Sequence, residues 1–454
     1  MARGKRQASR QLIEDEEHQL RYERVAGIDV AKASGVVCTR LPPVREGGRR
    51  VSRIETVAAA AAGILALAAR LAGDGVQMVT LESTSDYWRI WYYLLEAAGL
   101  RVQLVSASQA RRLAGRPKTD EQDAQWLARL TEAGLLRPSF VPPAEIRALR
   151  DYTRMRLHLV QDRTRCWQRL EKLLEGGLVK LSSVVSQLSG VSAQEMIRAM
   201  IAGQRDPRVL ARMARTRMKA KHDDLVQALD GRFDDHHGEL AQLLLDQIAF
   251  LDARIAALED SIAACLDAIP ASWGIDADGG PAPDPGPGAQ VLPAVQRLAE
   301  IPGVSDGLAR AIIAETGLDM SRFPTAGHLV NWAGLVPAAD QSGSRAGKGR
   351  KGQGDTYLRC HLTQAANGAA RTHTFLGERC ARIGRRRGKA KAQVAVARSI
   401  LIIVWHLLKN PGARYTDLGP DWYATKISTS KKIRGHIRQL QALGLDVTIT
   451  PRAA

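Results

Sequence analysis

ERVAGIDVAKASGVVCTRL, residues 23–41, contains two short apolar stretches, ERVAGIDVA (23–31) and SGVVCTRL (34–41), parted by a few small residues. Both are rich in β-branched residues and too short for helices, so they read as two strands joined by a tight connection. Asp29 sits on the first of them. VREGGRRVSRIET (44–56) supplies a third strand through its Gly-Gly turn, and an Ala- and Leu-rich helix follows from about Val57 to Leu71. VQMVTLE (76–82) is a buried strand ending on Glu82, SDYWRIWYYLLEAAG (85–99) a helix, LRVQLVS (100–106) a strand, and TDEQDAQWLARLTEAG (119–134) a helix.

Three strands, helix, strand, helix, strand, helix is the layout of a ribonuclease-H-like (RuvC-like) mixed sheet with helices against it. That order makes the first and fourth strands neighbours, so Asp29 and Glu82 converge while the last helix lays Asp120 and Asp123 across them. Asp120 and Asp123 lie one turn apart on one helix face, where two like charges repel and a cation is the natural neutraliser. Each acid also has a plainer role. Thr119 reads as an N-cap whose first turn favours negative charge, Asp29 could cap a turn, and Glu82 could pair with an arginine. The joint placement of four acids favours a metal site. The basic run before the helix, with Arg111, Arg112, Arg116 and Lys118, would hold a nucleic-acid backbone nearby.

Residues 144–175 and 239–269 carry apolar residues at helical spacing with charged outer faces, the second as an a/d-like seam. They are expected to form an antiparallel coiled coil or a dimer interface. PASWGIDADGGPAPDPGPGAQVLP (270–293) sustains neither helix nor strand and marks a linker. RLAEIPGVSDGLARAIIAETG (297–317) resembles a helix-hairpin-helix, a motif that binds phosphate through hairpin N–H groups. Gly303 fits that motif, whereas Ser305 stands where a second glycine is usual. Pro337 to Lys391 holds 13 Lys and Arg against three acids. Within it QSGSRAGKGRKGQGD (341–355) reads as a loop that would mould onto a phosphate chain. The expected divisions are a basic tail (1–22), a RuvC-like domain (23–140), a helical middle (144–269), the linker (270–293), a small, mostly helical C-terminal domain (294–410) and an extension (411–454).

Across 454 residues, 65 Lys and Arg outnumber 47 Asp and Glu, giving a formal charge of +18. Such an excess makes nucleic acid the leading partner. No uninterrupted apolar run approaches the roughly 18 residues that span a bilayer. The five cysteines show no metal-binding or disulfide spacing. The N-terminal residues lack the apolar stretch of a signal peptide. A cytoplasmic, reduced protein without a membrane partner is expected.

GIDVAK, LESTSDYW, KTDEQDA, IPGV, RFPTAGHLVNWAGLVP and QSG followed by KGQGDTYLR together resemble the DEDD transposases of the one-ten insertion-sequence family. The resemblance covers about residues 23–410. It implies a site-specific recombinase in which Asp29, Glu82, Asp120 and Asp123 hold Mg2+ (or Mn2+). A serine of the C-terminal domain, falling at Ser342, attacks the scissile phosphate to give a covalent 5′-phosphoserine link; Ser344 is close enough to be confused with it. It further implies target and donor DNA as substrates and a non-coding bridge RNA paired with both. A homo-oligomer, dimer to tetramer, would bring the RuvC-like domain of one protomer to the serine domain of another. Gly303, Arg345, Lys348, Arg350, Lys351 and Arg359 are the C-terminal candidates for nucleic-acid contact. Tyr357 is a rival nucleophile, although no tyrosine-recombinase set of Arg and His accompanies it. Two other readings compete: a metal-dependent, structure-selective DNA endonuclease using activated water, and a non-enzymatic nucleic-acid scaffold. The scaffold leaves the four acids without a purpose.

Overall fold

The computed structural model describes residues 20–45, 48–83, 85–106, 119–274, 292–336, 341–342, 345–346, 354–425 and 429–448. It divides into two compact units, Met1–Val141 and Pro142–Ala454.

The first unit is a five-stranded sheet of order β3-β2-β1-β4-β5. Its strands are β1 (Val25–Val30), β2 (Ser34–Leu41), β3 (Val51–Ala58), β4 (Met78–Ser83) and β5 (Val102–Ser106). β1, β2 and β3 pair antiparallel in succession, while β4 joins β1, and β5 joins β4, in parallel. This is the ribonuclease-H-like order expected from the sequence. The period-two alternation of a strand divides its residues between two faces. On one face Ala26, Ile28, Val30, Val79 and Leu81 pack against helices α1 (Ala61–Gly73) and α2 (Trp88–Ala97) through Ile64, Leu67, Leu71, Trp91 and Leu95. On the other, Val25, Cys38 and Met78 meet Ala124 and Ala128 of α3 (Asp120–Glu132).

The third strand runs later than expected, and α1 starts at Ala61 instead of Val57. Val57 pairs with Gly35 and is buried. The Ala59 N–H then donates to Ala33 O at 2.9 Å. The alanines that suggested an early helix are thereby held by the sheet edge, since a ladder hydrogen bond and a buried valine outweigh the small intrinsic helix preference of alanine.

The second unit is mostly helical. Two 33-residue helices, α4 (Ala144–Gly176) and α7 (Asp235–Asp267), run antiparallel. Arg156 reaches Glu259 at 2.9 Å while Arg163 reaches Asp252 at 2.5 Å. Leu170 and Leu174 of α4 and Ala241, Leu245, Ile248 and Leu251 of α7 share a core with α5 (Val191–Ile201) and α6 (His222–Leu229). The long helices thus bury their apolar seams on one another and on a small helical lobe of the same chain.

The stretch expected to sustain neither helix nor strand opens with a 3-10 turn, Pro270–Trp273, which the proline at its start permits, and most of the rest lies outside the described residues. After it, α8 (Ala294–Ala299) and α9 (Asp306–Thr316) flank the turn at Pro302 and Gly303. α10 (Ala326–Trp332), α11 (Thr356–Ala369), α12 (Phe375–Arg387) and α13 (Lys389–Lys409) complete the group. By length and composition alone α13 would suit a membrane, yet half of its apolar window is buried within the protein. Its Val396, Ile400 and Val404 are fully buried, and Trp405 Nε1 donates to Phe323 O at 2.8 Å. It is a core helix.

Candidate active site

Ile28 of β1 is level with Leu81 of β4, and both side chains enter the α1 and α2 layer. The next residue on each strand, Asp29 and Glu82, therefore points to the opposite face. Asp29 is half-buried and Glu82 is buried.

What covers that face is α3, and Gly27 sets its closeness. A Cβ on Gly27 would lie 2.6 Å from Ala128 N and 2.7 Å from Ala124 O, so only glycine lets the helix backbone settle on the strand. Toward the start of β1 the Arg21 N–H donates to Glu132 O at 2.8 Å, while on β4 the Thr80 and Thr131 hydroxyls meet at 2.7 Å. The Gly27 and Arg21 contacts make α3 antiparallel to β1. The helix start lies at the C-terminal ends of β1 and β4, where Asp29 and Glu82 stand. Asp29 is about 7 Å along the strand beyond Gly27, and Asp123 and Asp120 precede Ala124 by about 1.5 and 6 Å of helix rise. Strand register and helix direction together give the four acids one address.

Thr119 is the N-cap, its side chain accepting from Gln122 N at 3.3 Å, so the capping role and the acidic first turn coexist. Asp120 is exposed and Asp123 half-buried. No three of the four acids have ligand oxygens all within 4.8 Å of one another; among the described residues only Asp234, His236 and His237 do. The quartet shares an end of the sheet without standing at the spacing of a single ion's ligands. Its donors are carboxylate oxygens alone, which suit hard divalent ions such as Mg2+ or Mn2+ rather than zinc or copper. The donor chemistry fits divalent metal ions, and at this spacing the carboxylates would have to close in to share one.

The opposite end of α3 holds a fifth acid. Glu132 is buried, with Arg50 Nε and Arg40 Nε each 2.8 Å from its carboxylate. The Arg50 contact is a hydrogen bond, whereas Arg40 Nε lacks hydrogen-bond alignment and acts through charge. Nearby Cys38 is buried, which pushes its thiol up to about 11 and leaves it protonated and inert at neutral pH.

In the second unit Ser342 lies on a two-residue strand, Gln341–Ser342, paired antiparallel with Arg345–Ala346. Gly343, Ser344, Lys348, Arg350 and Lys351 lie outside the described residues, as do Arg111, Arg112, Arg116 and Lys118. Gly303 has φ +86°, and a Cβ there would strike the backbone of Ala365 and Ala369 in α11. Its glycine is required by packing against that helix. Arg359 sits half-buried in the second turn of α11.

The sequence reading missed the ion network just past the basic loop. Glu315 is fully buried, with Arg154 Nε and Nη2 each 2.8 Å from its oxygens and Arg150 Nε at 3.1 Å. Arg154 also meets Asp355 at 3.3 Å, and Asp355 caps α11 by accepting from Leu358 N at 2.8 Å. The Arg154 guanidinium lies 4.2 Å from the Tyr357 ring centroid, and the Tyr357 hydroxyl is 3.0 Å from His158 Nε2. Tyr357 is thus engaged in packing and hydrogen bonding. Only the pairing of arginines on α4 with GDTY, more than 150 positions later, could have revealed this, and helical periodicity carries no such information.

The strand order and the acids on one sheet end define a ribonuclease-H-like domain of the DEDD type, joined to a helical unit. A family model described as the DEDD transposase of IS110 matches residues 26–178, and one described as "Transposase IS116/IS110/IS902 family" matches residues 295–379. Together they span more than half of the chain, which belongs to the IS110 family of transposases, enzymes that cleave and rejoin DNA. A "Probable family 20 transposase" of Pseudomonas aeruginosa is 26% identical over 324 residues, covering 70% of this chain and 80% of that protein. The Thermus thermophilus RuvC structure aligns at 15% identity over 26% of this chain and 99% of that one, with a TM-score of 0.20. At that score it adds nothing to what the strand order establishes.

Proposed function

We propose that this transposase recombines target and donor DNA through a covalent serine intermediate, with Asp29, Glu82, Asp120 and Asp123 holding divalent magnesium. The observation that carries the reading is the common address of the four acids, fixed by the β1–β4 register and the direction of α3. Bound there, the metal would supply Lewis-acid stabilisation of charge developing on the phosphoryl oxygens.

Ser342 is the nucleophile. Its Oγ loses a proton and forms a bond to phosphorus, the P–O3′ bond breaks, and the leaving strand departs as a 3′-hydroxyl. The 5′-phosphoserine ester retains the bond energy, so attack by a second 3′-hydroxyl rejoins strands and frees the serine without ATP. Arg345, Lys348, Arg350, Lys351 and Arg359 neutralise backbone phosphates near the serine; Arg111, Arg112, Arg116 and Lys118 do so near the acids. Sequence choice falls to a non-coding RNA paired with both duplexes. The protein works in the bacterial cytoplasm as a homo-oligomer of two to four chains, because two duplexes must be held at once.

The test is cleavage of labelled DNA in Mg2+ with the copurified RNA, followed by denaturing electrophoresis. Wild type leaves a protein–DNA adduct that Ser342→Ala abolishes, while the variant keeps the wild-type circular dichroism spectrum. Adduct formation by Ser342→Ala removes that serine from the mechanism. Hydrolysed ends without adduct from wild type would establish the endonuclease reading, in which the acids activate water.

A further inference from the structure

A second group of ligand-bearing side chains lies far along the chain from the acid quartet, where α7 begins. Asp234 precedes the helix, and His236 and His237 fall in its first turn. One ligand atom from each lies within 4.8 Å of the others; Asp234 and His236 are exposed and His237 half-buried. The His236 and His237 rings are 3.8 Å apart between centroids.

This grouping is held by the fold. His237 packs by Phe233 at 5.8 Å, and its ring would be 3.6 Å from a Cβ on Gly177, at the end of α4. The connecting chain is tied back by the Arg232 N–H donating to Gly177 O at 2.8 Å. The neighbouring cation, Arg205, is occupied: it pairs with Asp235 at 3.0 Å and lies over the Phe233 ring at 5.5 Å. His237 Nδ1 accepts from the Asp234 backbone N–H at 3.3 Å, a long bond that costs little to exchange for a metal–nitrogen bond at that atom.

We propose that Asp234, His236 and His237 bind a borderline transition-metal dication, with Zn2+ as its probe. Two imidazoles and one carboxylate are the ligand chemistry of zinc, cobalt and nickel, whereas magnesium prefers oxygen donors throughout. Ligands on one tetrahedral zinc ion sit about 2.0–2.1 Å from it, hence roughly 3.3–3.4 Å apart, so ligand atoms that lie within 4.8 Å of one another need to contract by up to about 1.5 Å. His236 is exposed, and Asp234, though exposed, also caps the helix through the His237 backbone N–H, so its free carboxylate oxygen would be the ligand. The partial positive charge of a helix N-terminus opposes a cation here. The Asp234 carboxylate, which belongs to the site, offsets it, since Asp235 is already paired with Arg205. The site leaves one position for water and bridges the last residue before α7 to its first turn, so the ion stabilises that junction by mass action.

The experiment is calorimetric titration of untagged protein with Zn2+, repeated with Mg2+, with unfolding midpoints measured in parallel. Wild type should bind one Zn2+ equivalent that Mg2+ does not displace, and its midpoint should rise with Zn2+. His236→Ala, at an exposed position, and Asp234→Asn, which keeps N-cap ability, should each weaken that binding at least tenfold with an unchanged circular dichroism spectrum. Asp29→Ala should retain it, which separates this site from the acid quartet. Absence of the one-equivalent binding, equal affinity in both variants, or displacement by Mg2+ would overturn the proposal.

Discussion

The two ends of α3 carry acids with opposite fates. Glu132, at the C-terminal end, is buried between Arg40 and Arg50. Asp120 and Asp123, twelve and nine residues earlier on the same helix, are exposed and half-buried and lie at the helix end nearer Asp29 and Glu82. A carboxylate enclosed by guanidinium groups has its charge spent on the fold. Four carboxylates placed toward one end of the sheet repel one another, and a cation there would offset that repulsion. Under the proposed function the contrast is between an acid that serves stability and acids that serve chemistry, and each substitution below presses on one side of it.

The largest effect is expected at Asp29. Asp29→Asn keeps shape and removes one anionic oxygen donor from the metal site, so Mg2+-dependent cleavage should fall by about 10³-fold, near 4 kcal/mol of transition-state stabilisation. Its urea midpoint should stay close to wild type. Cleavage within tenfold of wild type would show that Asp29 belongs with Glu132 as a fold acid.

Glu132→Ala tests the other end. It strands two partly buried arginines, and removal of one partner from such a pair costs about 3 kcal/mol or more. The expected outcome is a lower urea midpoint with the cleavage rate per folded molecule nearly unchanged. A rate loss exceeding the loss of folded protein would show that the two ends of α3 are coupled through the helix.

The features that gave the sheet its legibility were local. Alternation and short β-branched runs located β1, β2, β4 and β5, and element order then placed Asp29 beside Glu82. The start of α1 was misread because Ala59 is held by Ala33, a contact across the sheet edge that alanine content cannot announce. Gly27 was visible as part of GIDVAK, but its reason, the helix backbone of Ala124 and Ala128 resting on it, is tertiary. Gly303 is read from sequence as a phosphate contact, and the structure adds a separate reason for glycine there, close packing against α11. In the second unit, helical periodicity found the long helices and could not find Glu315, since a fully buried acid looks like a surface acid until Arg150 and Arg154 are seen around it.

The smallest effect is expected at Asp120, and it is the most discriminating. Asp120 is exposed, and in the first turn it gains about 0.3–1 kcal/mol from the helix dipole. Asp123, one turn on, opposes it by repulsion of about 0.2–0.5 kcal/mol. Asp120→Asn removes both, and Thr119 still caps the helix, so metal-free stability should change by under about 0.5 kcal/mol. The two readings diverge once Mg2+ is added. If the acids hold a cation, wild type gains stability by mass action as Mg2+ rises. The variant should lose most of that gain, because one of the ligands that distinguished the folded state has gone. Denaturant titrations of both proteins, with chelator and with Mg2+, measure the difference directly. An Asp120→Asn protein that gains as much from Mg2+ as wild type would return Asp120 to the role of a first-turn acid and leave Asp123 as the helix's contribution to the site.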